Sequence, residues 1–123
     1  MGNLGKVIFC TLLVVTLLAF PLGAGNGIVL RIEWNNPFNP EASDAQDQYT
    51  EIRYEVKEEG ATIRIYSING ELVKTLEEDS TKKKDTIKWY GKNDKGEVVG
   101  NGVYLVNLKI DKSSKTVKVV VLK

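Results

Sequence analysis

The residues able to do chemistry fall into three short clusters. Asn93-Asp94-Lys95-Gly96-Glu97 sets an amide and two carboxylates around a glycine, the composition of a calcium loop. Such a loop needs its oxygens to converge on one hard cation at a fixed spacing. That spacing is not met, so the segment reads as an ordinary hairpin turn. Glu41, Asp44, Asp47 and Glu51 make a second acidic group, read as an exposed loop rather than a cation site. Lys82-Lys83-Lys84 would suit an anionic surface, but Glu77, Glu78 and Asp79 precede it and Asp85 follows, which is the pattern of a solvated charged loop.

The missing residue types narrow the function further. The 123 residues contain no His, which removes the imidazole base, the Ser-His-Asp and Cys-His nucleophiles and the ordinary catalytic zinc site. Glycoside hydrolysis needs two carboxylates held across a cleft with one of them desolvated, and so short a chain of strands promises no cleft. With 17 Lys and Arg against 16 Asp and Glu, the formal charge of +1 gives no basic field for nucleic acid. Hydrophobic residues at 42% with 27% charged residues are those of a globular domain, and the length fits one domain. The chain is therefore read as non-enzymatic, with no cofactor, metal ion, small-molecule substrate or nucleic-acid partner. Contact with a protein partner is the expected activity.

Residues 1–24 read as an export signal. Lys6 and the amino terminus are positive, Val7 to Phe20 is apolar, Pro21 ends the run, and Leu22, Gly23 and Ala24 lead to a cleavage point. An uncleaved anchor is the alternative, although the apolar run falls short of the roughly 20 residues of a membrane span. Any membrane contact would be through this segment alone. Cys10, the single thiol, lies inside the run and so is badly placed to carry a lipid. Loss of residues 1–24, Lys6 among them, leaves 99 residues with no thiol and a formal charge of zero. The expected location is outside the cytoplasm: secreted, periplasmic or on the cell surface.

The elements of residues 25–123 must then be strands. Ile28 to Trp34 forms a first strand, and Asn35 to Pro40, with two prolines, breaks it. From Tyr49 the hydrophobic period is two: Ile52, Tyr54 and Val56 alternate with Arg53, Glu55 and Lys57, and Ile63 and Ile65 flank Arg64. Asn69-Gly70, between Ala61–Ile68 and Glu71–Leu76, predicts a two-residue hairpin turn with positive backbone angles. Lys82 to Asp85 is a loop, and Thr86 to Tyr90 a strand with Ile87 and Trp89 on one face. Tyr104, Val106, Leu108 and Ile110 share a face of the next strand, and Val117, Val119 and Val121 a face of the last. About seven short strands without a helical period predict an all-β, immunoglobulin-like antiparallel β-sandwich of fibronectin III-like type, preceded by the signal helix; a small β-barrel is the alternative.

Several segments, in order, resemble a known family. They are Asn36-Pro37-Phe38-Asn39-Pro40, Ile52-Arg53-Tyr54, Thr62 to Tyr66, Asn69-Gly70-Glu71-Leu72-Val73, Trp89-Tyr90-Gly91-Lys92-Asn93-Asp94-Lys95-Gly96, Gly102-Val103-Tyr104 and Lys118 to Lys123. Together they resemble the immunoglobulin-like module at the C-terminus of the flagellar hook-capping protein FlgD, found in related form at the C-termini of many exported bacterial proteins. They are also similar to the C-terminal sorting domain of type IX secretion cargo. Two departures stand out: Tyr90 occupies a position where the family often has Asp, and Glu41 to Tyr49 is inserted after the Asn-Pro-Phe-Asn-Pro segment.

The resemblance implies a structural, adhesion or surface-association module whose partner belongs to the secretion machinery, the cell surface or an appendage. A sorting role is an alternative, although only about a dozen residues separate the signal from Asn36 where a cargo would sit. A hook-capping role ranks below both, because no hook-docking region is seen. The motif residues themselves have structural readings. Phe38 can plug one end of the sandwich, and Trp89 and Tyr104 can anchor the core while their polar edges find partners. Gly91, Gly96, Gly100 and Gly102 permit turns or bulges. Lys118 to Lys123 is the strand most open to edge pairing by a partner.

Overall fold

The computed structural model of the chain describes residues 27–123. The expected signal helix, its cleavage point and Cys10 lie outside the described residues. Seven strands follow in order: β1 (Val29–Trp34), β2 (Thr50–Glu55), β3 (Ala61–Ser67), β4 (Leu72–Ser80), β5 (Lys84–Trp89), β6 (Gly102–Ile110) and β7 (Ser113–Val121). They form two sheets, one ordered β1-β2-β5 and the other β4-β3-β6-β7, with every neighbouring pair antiparallel. The two-sheet arrangement excludes the barrel alternative. In immunoglobulin constant-type domains the fourth strand joins the first sheet, whereas here β4 pairs with β3, as fibronectin III-like sandwiches require.

Alternation of side chains explains why these segments are strands and which face each one buries. Ile52 and Tyr54 of β2, Ile63 and Ile65 of β3, Val106 and Leu108 of β6, and Val119 and Val121 of β7 are wholly buried between the sheets. The intervening positions, such as Arg53, Arg64, Asn107 and Lys118, point outward, as a period of two demands. One polar contact ties the sheets together. The Tyr54 hydroxyl of β2 donates to Glu77 Oε1 of β4 at 2.9 Å and lies 3.2 Å from Ser80 Oγ. Burial, more than any neighbour, pushes its pKa above the ordinary tyrosine value.

Three local features differ from the expectations. The β3–β4 turn is not a two-residue turn centred on Asn69-Gly70. Gly70 N donates to Ser67 O, so Ile68 and Asn69 occupy the centre, and Gly70 alone takes a positive φ, of 88°. This is the three-residue hairpin solution, a turn followed by one left-handed residue, and it needs Gly at only that residue. Second, β4 runs on through Glu77, Glu78 and Asp79 to Ser80, because register shifts against β3 let an acidic segment stay in the ladder. Third, the Glu41–Gln48 loop contains a single 3-10 turn, Ala45–Asp47.

Antiparallel pairing also sorts the connections into two poles. One pole holds the carboxyl ends of β1, β3, β5 and β7 and the amino ends of β2, β4 and β6. The opposite pole holds Lys57-Glu58-Glu59, Thr81 to Lys83 and Asp111-Lys112, nearly all charged and exposed.

Truncation of a central core side chain, Ile65→Ala, is expected to cost about 2–5 kcal/mol in urea unfolding, while Ile68→Ala in the turn stays within about 0.5 kcal/mol. A tyrosine with a raised native pKa contributes stability that is complete below its unfolded value and is lost as pH rises through the native one. The thermal midpoint should therefore fall above about pH 10, and the fall should be shallower in Tyr54→Phe, as followed by circular dichroism across alkaline pH.

Candidate interaction surface

Asn36 to Pro40, Asn69-Gly70, Trp89 to Gly96 and Gly102 to Tyr104 gather at one pole. The chain leaves β1 through Asn35, whose side-chain amide donates to Asp47 O and Tyr49 O and so shapes the inserted loop. Asn36-Pro37-Phe38 then lies against the last part of β7. Asn36 Oδ1 accepts from Val120 N at 2.9 Å, Phe38 N donates to Val120 O at 3.1 Å, and Leu122 N donates to Phe38 O at 3.0 Å. The Asn36 amide also reaches Lys118 O at 3.4 Å. This corrects the reading of Lys118 to Lys123 as the strand most open to pairing, because its outer edge already carries the Asn36–Phe38 segment. Asn39 turns the chain onward by accepting from Glu41 N, with Pro40 between them.

Phe38 is buried and meets Trp89 edge to face with ring centroids 5.5 Å apart, and Trp89 meets Tyr104 in the same way at 5.6 Å. Such edge-to-face pairs are favoured by the ring quadrupoles. Both polar edges are bonded within the chain: Trp89 Nε1–H donates to Lys92 O, and the Tyr104 hydroxyl donates to Gly100 O at 2.7 Å. Burial raises the Tyr104 pKa. Gly91, at φ 73°, lets the chain pass against this stack, since a Cβ there would lie 2.6 Å from Pro40 Cγ.

The Asn93–Gly96 loop is a second edge cover. Asn93 Oδ1 accepts from Lys95 N and Glu97 N, which closes the loop on itself. Asp94 N donates to Val73 O at 2.9 Å, and Asp94 Oδ1 accepts from Thr75 N at 3.2 Å, so Asp94 lies along the start of β4 as a strand residue would. Its carboxylate is thus committed to backbone. Among the described residues, no three His, Cys, Asp or Glu side chains are placed to hold a metal ion. Glu41, Asp44 and Asp47 are exposed along the inserted loop, while Glu51 sits on β2 opposite Lys88. Asn69-Gly70 turns at the same pole, and Gly102 opens β6 there.

The same pole carries the large apolar side chains left in water: Trp34, Ile68, Leu72, Tyr90, Val98, Val103 and Leu122. Leu72, Tyr66 and Leu105 are opposite one another across β4, β3 and β6, and Val103 pairs with Val120 in an adjacent row. They form an apolar band across the outer face of the four-stranded sheet. The sequence held a signal for it, because Val103, Leu105, Val120 and Leu122 are apolar on the strand faces opposite the core. The two departures from the family pattern also meet here. Tyr49 of the insert contacts Tyr90 with ring centroids 5.4 Å apart, and Lys88 Nζ stands 4.5 Å above the Tyr49 ring.

Gly91→Ala is expected to destabilise the fold by roughly 2 kcal/mol or more, because it adds a clash with the Pro40 ring to an unfavourable φ, whereas Gly100→Ala, where no atom stands near a new Cβ, should change little. Chemical denaturation of both variants checks the contrast.

The described sandwich is similar to part of PorZ, a bacterial surface component of the type IX secretion system of Porphyromonas gingivalis, with a TM-score of 0.52 and 23% identity. The likeness covers 83% of this chain but 12% of PorZ, so the chain spans a small part of that protein's length, and what it shows is the fold. No curated protein matches the chain. Residues 39–121 match the FlgD Ig-like domain, two thirds of the sequence and all of β2 to β7, and the chain belongs to that family.

Proposed function

We propose that the chain is an exported, non-enzymatic β-sandwich module that works by protein contact through its apolar pole. One observation carries this reading: the exposed large hydrophobic side chains gather at the pole that the motif loops build, while the opposite pole is charged. A monomeric soluble domain seldom leaves a contiguous apolar band such as Leu72, Tyr66 and Leu105 beside Val103 and Val120 without a partner for it. The backbone beneath them is stiff, since Phe38, Trp89 and Tyr104 lock the loops and both neighbouring sheet edges are covered. A stiff apolar surface binds at a smaller ordering cost than a mobile one.

The partner is a cell-surface, secretion or appendage protein. Membership of the FlgD Ig-like family and the fold shared with part of a type IX surface component support this choice. A sorting role in type IX secretion is the second reading, favoured by the order of segments shared with sorting domains. Export rests on the amino-terminal sequence, with its charged start and apolar run.

A photo-crosslinking residue placed at Leu72 or Val103 in the native host is expected to capture a discrete surface or secretion component, and one placed at Lys112 on the charged pole to capture none. Equal capture from both poles would overturn the reading. With the crosslinker at Ile68 instead, Leu72→Lys with Val103→Lys should abolish capture yet leave the thermal midpoint nearly unchanged, since surface substitutions cost little. For the sorting reading, residues 25–123 fused to a reporter should move it to the surface of a host with type IX secretion, and retention in the periplasm would reject that role.

A further inference from the structure

The two outer edges of the four-stranded sheet are covered over one half only, and it is the same half on both. On β7, Asn36 and Phe38 occupy Lys118 O, Val120 N and O, and Leu122 N. In an antiparallel strand these outward groups recur at every second residue, so Thr116 N, Thr116 O and Lys118 N point the same way. No group among the described residues pairs with them. On β4, Asp94 occupies Val73 O and Thr75 N, and beyond Thr75 no described segment bonds to the outer edge. The uncovered halves, Ser113–Lys118 of β7 and Leu76–Ser80 of β4, both lie toward the charged pole.

Their charges are opposite. Lys112, just before β7, and Lys115 and Lys118 on it are exposed, and so are Glu78, 3.6 Å from Arg64 of β3, and Asp79, at φ 49°, along the free half of β4. A shallow hollow of about 380 Å³, lined by residues 76–82, opens beside the acidic half. Lysines on an edge ordinarily repel strands, and like edges of two copies would repel here. Unlike edges attract.

Strand direction agrees with the charges. Across the sheet the directions alternate, so β7 and β4 run opposite ways. A second copy set beside the first by sideways translation places its β4 antiparallel to β7, with Ser113–Lys115 level with Glu77–Ser80 and Lys115 beside Glu77 and Glu78, while Thr116 and Lys118 stand level with the Asp94-covered start of β4. We propose that a second copy of this chain docks its acidic β4 half-edge onto the basic β7 half-edge, so that copies add head to tail and extend the four-stranded sheet. This contact is heterologous and leaves one unlike edge free at each end, so it propagates rather than closing as a dimer. The register shifts of β4 limit the pairing to a few residues, which makes the contact weak and dependent on concentration and salt.

Sedimentation velocity of the full chain, in a nonionic detergent that covers residues 7–20, tests the proposal. The weight-average sedimentation coefficient is expected to rise with protein concentration at low salt and to return to the monomer value near roughly 0.5 M salt, where screening is strong. Lys112→Glu/Lys115→Glu/Lys118→Glu and Glu78→Lys/Asp79→Asn should each sediment as monomers, and an equimolar mixture of the two should regain association, because each supplies the unlike edge the other lacks. Ser114→Pro, which removes an outward N–H level with the acidic half of β4, should also lose association while keeping its circular dichroism spectrum. A coefficient that does not change with concentration at low salt, an association that the charge variants retain, or a mixture that stays monomeric would overturn the proposal. None of these outcomes depends on the apolar pole.

Discussion

The ring of Phe38 against Trp89 is the contact on which the motif pole depends. It holds Asn36-Pro37-Phe38 where the Asn36 side chain and the Phe38 backbone can serve as an extra strand for β7. It also gives Trp89 one apolar neighbour while Tyr104 supplies the other, so the end of β5 and the start of β6 are joined through three rings. Without Phe38 in place, the outer edge of β7 would be bare along its whole length and the loop after Trp89 would have nothing to lie on. A sandwich of this size has too small a core to tolerate such an opening, and the segments that look like family decoration are part of what closes it.

Edge protection unifies features that look unrelated in the sequence. Asn36 and Asp94 are both short polar side chains in irregular segments, and both bond to the backbone of an edge strand. Each does what a neighbouring strand would do, with a side-chain oxygen standing in for a carbonyl. The lysines of β7 and the acids of β4 then oppose pairing between like edges over the stretches that remain. Main-chain polarity is thus managed by shape near the motif pole and by charge near the other.

The sheet faces were legible in the sequence because a period of two leaves little choice: Ile52, Tyr54, Ile63, Ile65, Val106, Leu108, Val119 and Val121 are the core that alternation predicts. The hairpin at Asn69-Gly70 was legible as a turn but not as a turn type, since the dipeptide suits two geometries and bonding from Ser67 selects one. The end of β4 was hidden because Glu77-Glu78-Asp79 has the composition of a loop, and bulging against β3 keeps it in the sheet. The apolar pole could be read residue by residue, but not as one surface. That requires the register, which brings Leu72, Tyr66 and Leu105 into line across three strands. Nor does spacing connect Tyr49 with Tyr90; an inserted loop and a substituted position come together only once β2 and β5 pair.

The opposed poles have a mechanical meaning. The described chain begins at Gly27 beside the charged pole and ends at Lys123 beside the apolar one. Its longest strands have nine residues, so the two ends are separated by about 30 Å of rigid sheet. Gly27 therefore stands at the far end of the sheet from the surface that presents Leu72 and Val103. The sheet thus sets a fixed spacing between its charged pole and its apolar one, a span that single strands bridge from end to end.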